Sequence, residues 1–347
     1  MESYEVVIIG AGPAGLSCAH KLSQLNSAQL GEKGEKVLLL EQNSVIGPKV
    51  CAGGLASDVI GYCRLPDELI DHKFDKITFH TPWQHRALDL GSPFYTVDRK
   101  NLGQWQLKKL ADTKVEVRTN ARVSKIEPGY VVVNGEKIFY KYLVGADGSN
   151  SATRRFAGLR TNELIVAIQY IIPTDEFKKT EIFFDPGCIS LGYIWIFPHK
   201  GYVSIGCGCE PKFFSSQKLA EGFKKWLAKN KIDVSKGKFE AFTINFDYQG
   251  YKFGNIFLAG DAAGLAAGLT GGGVFQAYVS GEEIAKTIAD KDYVSKKMDE
   301  VLEGNRKQND ALRFLEKTKS FIRPETELFL FLLRNEKIGQ RIMKRMM

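Results

Sequence analysis

The chain has 347 residues, of which 44% are hydrophobic and 25% are charged. This length allows two or three domains, and this composition excludes a disordered or fibrous chain. The longest apolar run, residues 328–333, is far below the roughly 20 residues of a membrane-spanning helix, so we expect a cytoplasmic protein whose net charge of +8 favours anionic partners.

A β-branched run at residues 4–9 leads into a glycine motif at residues 10–15 and a helical stretch from about residue 14 to 25. Strand, GxGxxG and helix in this order are typical of a dinucleotide-binding unit. Gly10 allows the tight turn, Gly12 lets a pyrophosphate approach the backbone, and Gly15 lets the helix pack against the strand. Ala14 opens the helix, whose N-terminus attracts phosphate, so we include it among the cofactor contacts.

A second buried strand, residues 36–41, ends in Glu41. An acid at this place accepts hydrogen bonds from the hydroxyls of an adenosine ribose. It lies 26 residues after Gly15, more than the usual spacing of about 20, and the polar stretch of residues 26–35 accounts for the difference as a longer loop. We therefore predict a Rossmann-type unit at the start of the chain.

Further along the chain, small residues follow strands or precede a helix. Residues 48–55 read Pro-Lys-Val-Cys-Ala-Gly-Gly-Leu, and a later buried strand ends in Gly-Ala-Asp-Gly at residues 145–148. A third strand ends in Gly260-Asp261, and the run from Gly268 to Gly273 opens a helix that extends from about Val274 to Ala289. The helix N-terminus there suits an anionic group.

An aromatic strand carries the pattern Tyr193-Ile-Trp195-Ile-Phe197-Pro, followed after seven residues by Gly206-Cys-Gly208. The period of two places the three aromatic side chains on one face. They would wall a long apolar pocket, or they would form the core of a sheet layer. Cys207 and Cys209 stand alone in a strand-like run, so we expect free thiols here and no metal site.

These blocks, in this order, resemble the FAD-dependent class shaped like para-hydroxybenzoate hydroxylase. Within that class, the Cys51 segment and the Tyr-x-Trp-x-Phe-Pro strand resemble the geranylgeranyl reductases, with Ala52 in the place expected of the archaeal type. Flavin halogenases carry a related Trp-x-Trp-x-Ile-Pro element, from which this chain departs at Tyr193 and Phe197.

The resemblance assigns residues to FAD. It implies that Asp261 accepts a hydrogen bond from the ribityl chain and that Gly272, Gly273 and Val274 face the N1/O2 edge of the flavin. It places Cys51, Ala52 and Gly54 beside the isoalloxazine and Asp147 in the second motif. It also implies that Arg99, which precedes a helix, reaches the cofactor. Val123, on a strand predicted from Val115 to Ile126, would border the adenine. Together the cofactor-binding prediction comprises Gly10, Gly12, Ala14, Gly15, Glu41, Cys51, Ala52, Gly54, Arg99, Val123, Asp147, Asp261, Gly272, Gly273 and Val274.

The predicted fold class is α/β, or α+β overall. A discontinuous Rossmann-type FAD-binding domain comprises residues 1–73, 97–160 and 250–290. A mostly antiparallel substrate-binding sheet, residues 74–96 and 161–249, is inserted in it, with a helix over residues 213–230, and helices follow over residues 291–347. Lys337, Arg341, Lys344 and Arg345 make the last stretch basic, so it would either touch the inner membrane face or dock on the body with a solvated basic side.

The resemblance implies reduction of C=C bonds in a polyprenyl lipid or diphosphate by hydride transfer from reduced flavin. Cys51, Tyr193 and Trp195 are the candidate catalytic residues. No second dinucleotide motif is visible, so NAD(P)H or a ferredoxin remains open as the electron donor. Two alternatives stand beside this one: an FAD-dependent monooxygenase or halogenase, and a non-catalytic protein that binds flavin or prenyl lipid. We expect a monomer, and no motif indicates nucleic acid.

Overall fold

The computed structural model describes residues 2–29 and 36–333. Its strands are β1 (Glu2–Ile9), β2 (Val37–Leu40), β3 (Gly54–Ala56), β4 (Ile70–His80), β5 (His85–Val97), β6 (Glu116–Arg118), β7 (Val123–Glu127), β8 (Tyr130–Val133), β9 (Glu136–Gly145), β10 (Leu164–Ile172), β11 (Glu181–Phe183), β12 (Gly192–His199), β13 (Tyr202–Cys209), β14 (Lys238–Asn245), β15 (Lys252–Phe253) and β16 (Ile256–Leu258). Its α-helices are α1 (Pro13–Gln29), α2 (Ser57–Cys63), α3 (Arg99–Lys108), α4 (Ala152–Phe156), α5 (Pro186–Ile189), α6 (Ser216–Lys229), α7 (Val274–Ala289), α8 (Lys296–Lys317) and α9 (Ile322–Leu332). Short 3-10 turns span Asp67–Leu69, Gly260–Ala262 and Lys319–Phe321.

The first sheet has the order β15-β16-β9-β1-β2-β6, and β8 joins it through β9. The pairs of β1 with β2 and β9, of β9 with β16, and of β2 with β6 are parallel. Strands buried on both faces must be apolar throughout, as Val37–Leu40 is. Helices α1 and α7 pack on one face of this sheet around Leu16, Leu22, Ile284 and Phe257.

The second sheet has the order β14-β10-β13-β12-β11-β4-β5-β3, and all its pairs are antiparallel except that of β11 with β4. Helix α6 covers one face with Leu219, Phe223, Trp226 and Leu227, as its amphipathic pattern predicts. This sheet takes in β3 and the first residues of β4, which precede the range predicted for it. The predicted fold class is confirmed, and the residue ranges of the domains stay a prediction.

The strand predicted from Val115 to Ile126 is wrong, because the chain turns between β6 and β7. Asn120 adopts a left-handed φ of 52°, which ends an extended strand. The N–H of Asn120 donates to the carbonyl of Asn43, and the N–H of Ala121 donates to the carbonyl of Glu41. The turn thus closes the edge of the first sheet around the end of β2, and β7 pairs with β8 instead.

The C-terminal helices are α8 and α9, and the basic residues predicted beyond them, from Lys337 to Arg345, lie outside the described residues. Within residues 2–29 and 36–333, no helix combines the length and the apolar character that a bilayer crossing requires.

Candidate active site

A cavity of about 780 Å³ extends from the glycine turn of the first sheet to the C-terminal helices. Its volume lies within the range of ligand pockets. Most of its wall comes from five parts of the chain: the start of α1, residues 49–56, the apolar face of the second sheet, the start of α7, and the end of α8 with α9. The first sheet therefore contributes turns and helix N-termini to the cavity, whereas the second sheet contributes apolar side chains.

The glycine turn meets the geometric demands of a pyrophosphate site. Gly10 has a φ of +100°, and a Cβ there would lie 2.3 Å from the carbonyl oxygen of Ala146. A Cβ on Gly15 would lie 1.9 Å from the carbonyl oxygen of Gly10. A Cβ on Gly12, by contrast, would meet nothing within 4 Å, and Gly12 and Ala14 line the cavity. The turn is closed behind Gly10 and Gly15 and open in front of Gly12, where the phosphates would approach.

Glu41 stands directly after β2, beside this turn. Its Oε2 accepts a hydrogen bond from the N–H of Ala11 at 3.0 Å, and its Oε1 accepts from Asn43 Nδ2 at 2.7 Å. The carboxylate is thereby fixed at the carboxyl end of a parallel strand, next to the glycine turn, where a ribose hydroxyl would meet it.

The N-terminus of α7 faces the cavity. Gly272, Gly273 and Val274 line it, and the cap residue Gly273 has no side chain that would satisfy the first N–H groups of the helix. Asp261 lies close by, because a Cβ on Gly273 would be 3.2 Å from its Oδ1. The Oδ2 of Asp261 accepts from Lys49 Nζ at 3.0 Å. This end of the cavity thus offers free N–H donors and a helix dipole to an anionic group.

Cys51 lies in the cavity wall within an electropositive environment. Burial raises the pKa of its thiol, but the Arg99 guanidinium, the N–H of Gly53 and Lys49 together outweigh burial, so the pKa is lowered from its usual value. Arg99 is the first residue of α3 and is buried. A thiol with a lowered pKa gives up its proton more readily than a typical cysteine.

The backbone around Cys51 is held from three sides. The carbonyl of Cys51 accepts from Gln169 Nε2 at 3.4 Å, and the carbonyl of Gly53 accepts from the N–H of Val97 at 3.0 Å. The carbonyl of Ala52 accepts from His199 Nε2 at 3.0 Å. Gly54 continues into β3, where a Cβ would lie 2.4 Å from the ring of Phe94, so a larger residue would displace that ring.

The sequence interpretation missed His199, which holds this segment. Its Nδ1 lies 2.8 Å from Oδ2 of Asp71, and its ring stacks on Tyr202 with centroids 4.4 Å apart. His199 is 2% exposed, so every polar atom of the ring needs a partner. Its position directly after the Tyr-x-Trp-x-Phe-Pro strand is the signal that would have found it. Lys49 was missed too, although it lies within the cysteine segment.

The aromatic strand β12 faces the cavity as the period of two predicts. Tyr193, Trp195 and Phe197 line the cavity, while Ile194 and Ile196 point into the core beneath α6. The hydroxyl of Tyr193 donates to the carbonyl of Thr270, in the turn before α7. Burial, with a contribution from Cys51, raises the pKa of Tyr193 to about 12, so it stays protonated at neutral pH.

Trp195 is anchored by its indole nitrogen. Its Nε1 donates to Ser204 Oγ at 2.9 Å, and Ser204 Oγ donates in turn to Gln169 Oε1 at 3.0 Å. Because Gln169 also bonds to the carbonyl of Cys51, one chain of hydrogen bonds joins the aromatic wall to the cysteine segment. The indole N–H is therefore occupied within the protein, and Trp195 presents its apolar ring face to the cavity.

Asp147 and Val123, which were predicted as cofactor contacts, are among the residues that do not line the cavity. Asp147 accepts hydrogen bonds from Ser151 Oγ, from the N–H groups of Ala152 and Thr153 and from Thr153 Oγ1, so its carboxylate holds the start of α4. Val123 begins β7 and packs against the core on the first sheet, away from the cavity walls. The neighbours of Asp147 in its motif, Ala146 and Gly148, do line the cavity.

Glu210 is a buried carboxyl in the cavity wall, directly after β13. Burial, opposed by Lys212 and reinforced by Glu316, raises its pKa to about 7. Its Oε2 pairs with Lys212 Nζ at 2.9 Å, while its Oε1 has no hydrogen-bond partner within the described residues. Cys207 and Cys209, on the same strand, are buried free thiols.

The residues present fit FAD. The open space in front of Gly12 and the uncapped start of α7 lie along one cavity, which Cys51 also lines. Arg99 Nε is buried and has no hydrogen-bond partner among the described residues, which leaves a donor for a bound group. A dinucleotide with an anionic ring system would satisfy both helix N-termini and this donor.

The comparisons with known proteins agree with this site. A family model of the pyridine nucleotide-disulphide oxidoreductases matches residues 4–182, from β1 into β11. The chain belongs to this family. The family and the fit of the site make FAD its cofactor, and the chain is accordingly a flavin-dependent oxidoreductase.

Relatives share sequence over most of the chain. Digeranylgeranylglycerophospholipid reductase 3 of Methanosphaera stadtmanae is 28% identical over 333 residues, 86% of this chain and 82% of that protein. A solved structure of a geranylgeranyl bacteriochlorophyll reductase-like protein from Thermoplasma acidophilum has a TM-score of 0.74 and 22% identity, covering 93% and 92% of the two chains. A halogenase in complex with FAD shares the fold at 17% identity, with a TM-score of 0.64 and coverage of 87% and 73%. The resemblance to geranylgeranyl reductases is thus confirmed.

Proposed function

We propose that this protein reduces C=C bonds of a geranylgeranyl-type lipid or diphosphate. The observation that carries the proposal is the aromatic face of β12, which walls an apolar cavity that continues to the Cys51 segment and the start of α7. An elongated apolar wall suits a prenyl chain, because burying hydrocarbon is favourable and needs no polar partner. The names of the relatives with which the chain shares most of its length support the same substrate class.

Bound FAD, once reduced, supplies the hydride for one alkene carbon. The chain's own residues then have two tasks. The N-terminus of α7, with Gly272, Gly273 and Val274, would stabilise negative charge on the ring system and orient it. The aromatic wall would exclude water and hold the alkene against the ring, since orientation is the protein's main contribution to cofactor chemistry.

The second alkene carbon needs a proton, and Cys51 is our candidate donor. The Arg99 guanidinium faces its thiol and would stabilise the thiolate that remains after the proton has left. Tyr193 is protonated at neutral pH, but its hydroxyl already donates to the carbonyl of Thr270. We therefore assign proton donation to Cys51 and the orientation of the substrate to Tyr193 and Trp195.

The test is an anaerobic turnover experiment. The purified flavoprotein is reduced, mixed with geranylgeranyl diphosphate or a geranylgeranyl glycerolipid, and the extracted product is analysed by mass spectrometry. We expect the mass of one pair of hydrogens to be added for each reduced double bond. NADPH, NADH and a reduced ferredoxin are compared as electron donors in the same assay.

The monooxygenase and halogenase alternatives need oxygen, so they are distinguished in a second measurement. Oxygen consumption that an aromatic substrate stimulates, without hydrogenation of any prenyl substrate, would contradict the proposal. Tight binding of a prenyl lipid without any redox turnover would support the non-catalytic alternative. Reduction of prenyl double bonds under anaerobic conditions excludes both.

A further inference from the structure

The described C-terminal helices expose a cluster of large apolar side chains beside the cavity. Phe314 at the end of α8 is 61% exposed, Phe321 is 66% exposed, and Leu328 on α9 is 56% exposed. Phe331 and Leu332 are also exposed. Among the described residues, nine large hydrophobic side chains are exposed, and these five lie within 19 consecutive residues. Such clustering on one surface marks an interaction site.

The exposed side chains of α9 share one face. Leu328 is followed at three and four residues by Phe331 and Leu332, and Phe321 lies in the turn just before the helix. Residues at these spacings lie on one side of a helix. Trp83, in the turn between β4 and β5, is 76% exposed and adjoins this helix, since its N–H donates to Glu327 Oε1 at 3.1 Å. We call the set of Trp83, Phe314, Phe321, Leu328, Phe331 and Leu332 the apolar rim.

The apolar rim is continuous with the candidate active site. Phe314 belongs to both, because it is exposed and also lines the cavity. The neighbouring face of α9 presents Ile322, Thr326 and Phe329 to the cavity. A hydrophobic molecule would therefore pass from the rim into the cavity along apolar side chains.

Between residues 314 and 333, the charged side chains at the surface are all basic. Lys317, Lys319 and Arg323 are exposed, whereas no carboxylate between residues 314 and 333 is exposed. Glu316 pairs with Lys212 Nζ at 2.6 Å. Glu327 is buried and accepts hydrogen bonds from Thr81 Oγ1 and Gln84 Nε2. The acidic side chains face inward and the basic ones face outward, so the surface is complementary to an anionic plane.

We propose that the apolar rim docks on an anionic lipid bilayer. The apolar side chains would enter the acyl boundary while Lys317, Lys319 and Arg323 meet the headgroups, which is the arrangement of an interfacial amphipathic helix. Docking in this orientation places the cavity against the lipid phase, so a prenyl chain enters without crossing water. The delivery of a prenyl chain from the bilayer rests on the proposed function. Membrane binding is measured without turnover, so the docking proposal and the proposed function can each fail without the other.

The experiment is vesicle co-sedimentation of the full chain with FAD bound. Vesicles of phosphatidylcholine with phosphatidylglycerol are compared with phosphatidylcholine alone, at low and at high salt. We expect tight binding to the anionic vesicles, weakened by salt. Phe321→Ser with Leu328→Ser should weaken binding about tenfold or more, because two exposed apolar side chains no longer insert. Lys317→Gln with Lys319→Gln should reduce the preference for anionic vesicles.

Val294→Ser is the matched control, because Val294 is as exposed as Trp83 but lies before α8, outside the rim. It should bind vesicles as the wild type does. Retained flavin absorbance and an unchanged melting temperature would show that each variant is folded. Brominated lipids supply an independent readout: they should quench the fluorescence of Trp83, and Trp83→Phe should remove that quenching.

Three outcomes would overturn the proposal. The first is equal vesicle binding by the wild type and the Phe321→Ser, Leu328→Ser variant. The second is that the Lys344→Gln, Arg345→Gln variant loses vesicle binding while the rim variant still binds. That result would assign the membrane contact to the C-terminal basic residues. The third is a dimer of the wild type without vesicles that the rim variant dissociates, which would make a second copy the occupant.

Discussion

The thiol of Cys51 is set apart by its charge environment. Arg99 faces it from the start of α3, and its pKa is lowered, whereas burial raises the pKa of Cys18, Cys63, Cys207 and Cys209. The thiolate is the reactive form and becomes the major form above the pKa. We therefore expect alkylation of Cys51 by iodoacetamide to reach half its maximal rate at a pH below 9.0, the usual value for a thiol.

Arg99→Gln tests the cause of this shift. Without the guanidinium, burial dominates, so the pH profile of Cys51 alkylation should move upward. Mass spectrometry of the Cys51 peptide across a pH series measures both proteins, and the alkylation of Cys188 in the same digest serves as an internal reference. An identical profile in the variant and the wild type would show that Arg99 does not set the pKa.

His199 supports the cysteine segment without touching the cavity. His199→Phe keeps a ring to stack on Tyr202 but removes the donor to Ala52 and leaves the largely buried carboxylate of Asp71 without its partner. An unpaired buried polar group costs about 1–3 kcal/mol, so we expect a loss of that size in the free energy of unfolding.

Tyr202→Phe is the control for His199→Phe, because it removes only a hydrogen bond of 3.3 Å to Asp98 and keeps the stacked ring. Urea unfolding of the three proteins gives the comparison. The alkylation rate of Cys51 should change in His199→Phe and not in Tyr202→Phe. Equal stability losses in both variants would contradict the assigned role of His199.

The turn between β1 and α1 separates a folding requirement from a binding requirement. Gly12→Val places its Cβ where no atom beyond the adjoining chain lies within 4 Å, so the chain should fold but lose FAD. Gly15→Val forces a Cβ to 1.9 Å from the carbonyl oxygen of Gly10, so it should fail to fold. Flavin absorbance measures FAD binding, and thermal melting measures folding. The melting temperature of Gly12→Val should equal that of the wild-type protein stripped of FAD. Retention of FAD by Gly12→Val would refute the site.

Helix α6 is attached to the second sheet by its apolar stripe. Trp226 is 2% exposed and packs against Phe183 and Phe223. Trp226→Ala removes a large buried ring, which costs about 3–5 kcal/mol in the free energy of unfolding. Lys224→Ala, on the exposed side of the same helix, should cost less than about 0.5 kcal/mol. Denaturant unfolding checks the difference, and comparable losses in both would show that the helix is not held by this face.

The sequence predicted those elements whose signal is local. Helix α7 has the predicted bounds because a glycine run precedes it and its apolar residues recur with helical spacing. Strand β13 likewise contains Cys207 and Cys209, in the run that the sequence predicts to be a strand. The break between β6 and β7 was missed because it depends on residues that are distant in sequence. The left-handed turn at Asn120 is held by backbone hydrogen bonds to the residues that follow β2.

At the scale of the whole molecule, the sequence could place residues on strands but could not bring strands together. The period of two correctly predicted which face of β12 carries Tyr193, Trp195 and Phe197. The contact of His199 with Asp71 joins residues separated by 128 positions, and no local pattern announces it. The apolar rim was likewise invisible, because a helical apolar face is normally buried, and only tertiary structure shows which side of α9 is exposed.

The arrangement of the cavity leads to a prediction about the length of the substrate. Thr326 lies on the cavity face of α9, in the part of the wall that the C-terminal helices form. Thr326→Trp would fill that part of the cavity, so a geranylgeranyl chain should no longer fit fully, while a geranyl chain should still reach the Cys51 segment. We expect turnover of geranylgeranyl diphosphate to fall about tenfold or more, as the loss of about 1.4 kcal/mol of binding implies.

The control for Thr326→Trp is Leu332→Trp, which adds an indole on the exposed face of the same helix. Both variants should keep full flavin absorbance and turn over geranyl diphosphate at the wild-type rate in an assay without vesicles. An equal loss with both chain lengths would mean that the variant disturbs the fold. An unchanged rate with the long chain would mean that the prenyl tail does not extend towards α9, because a tail lying there would clash with the added ring.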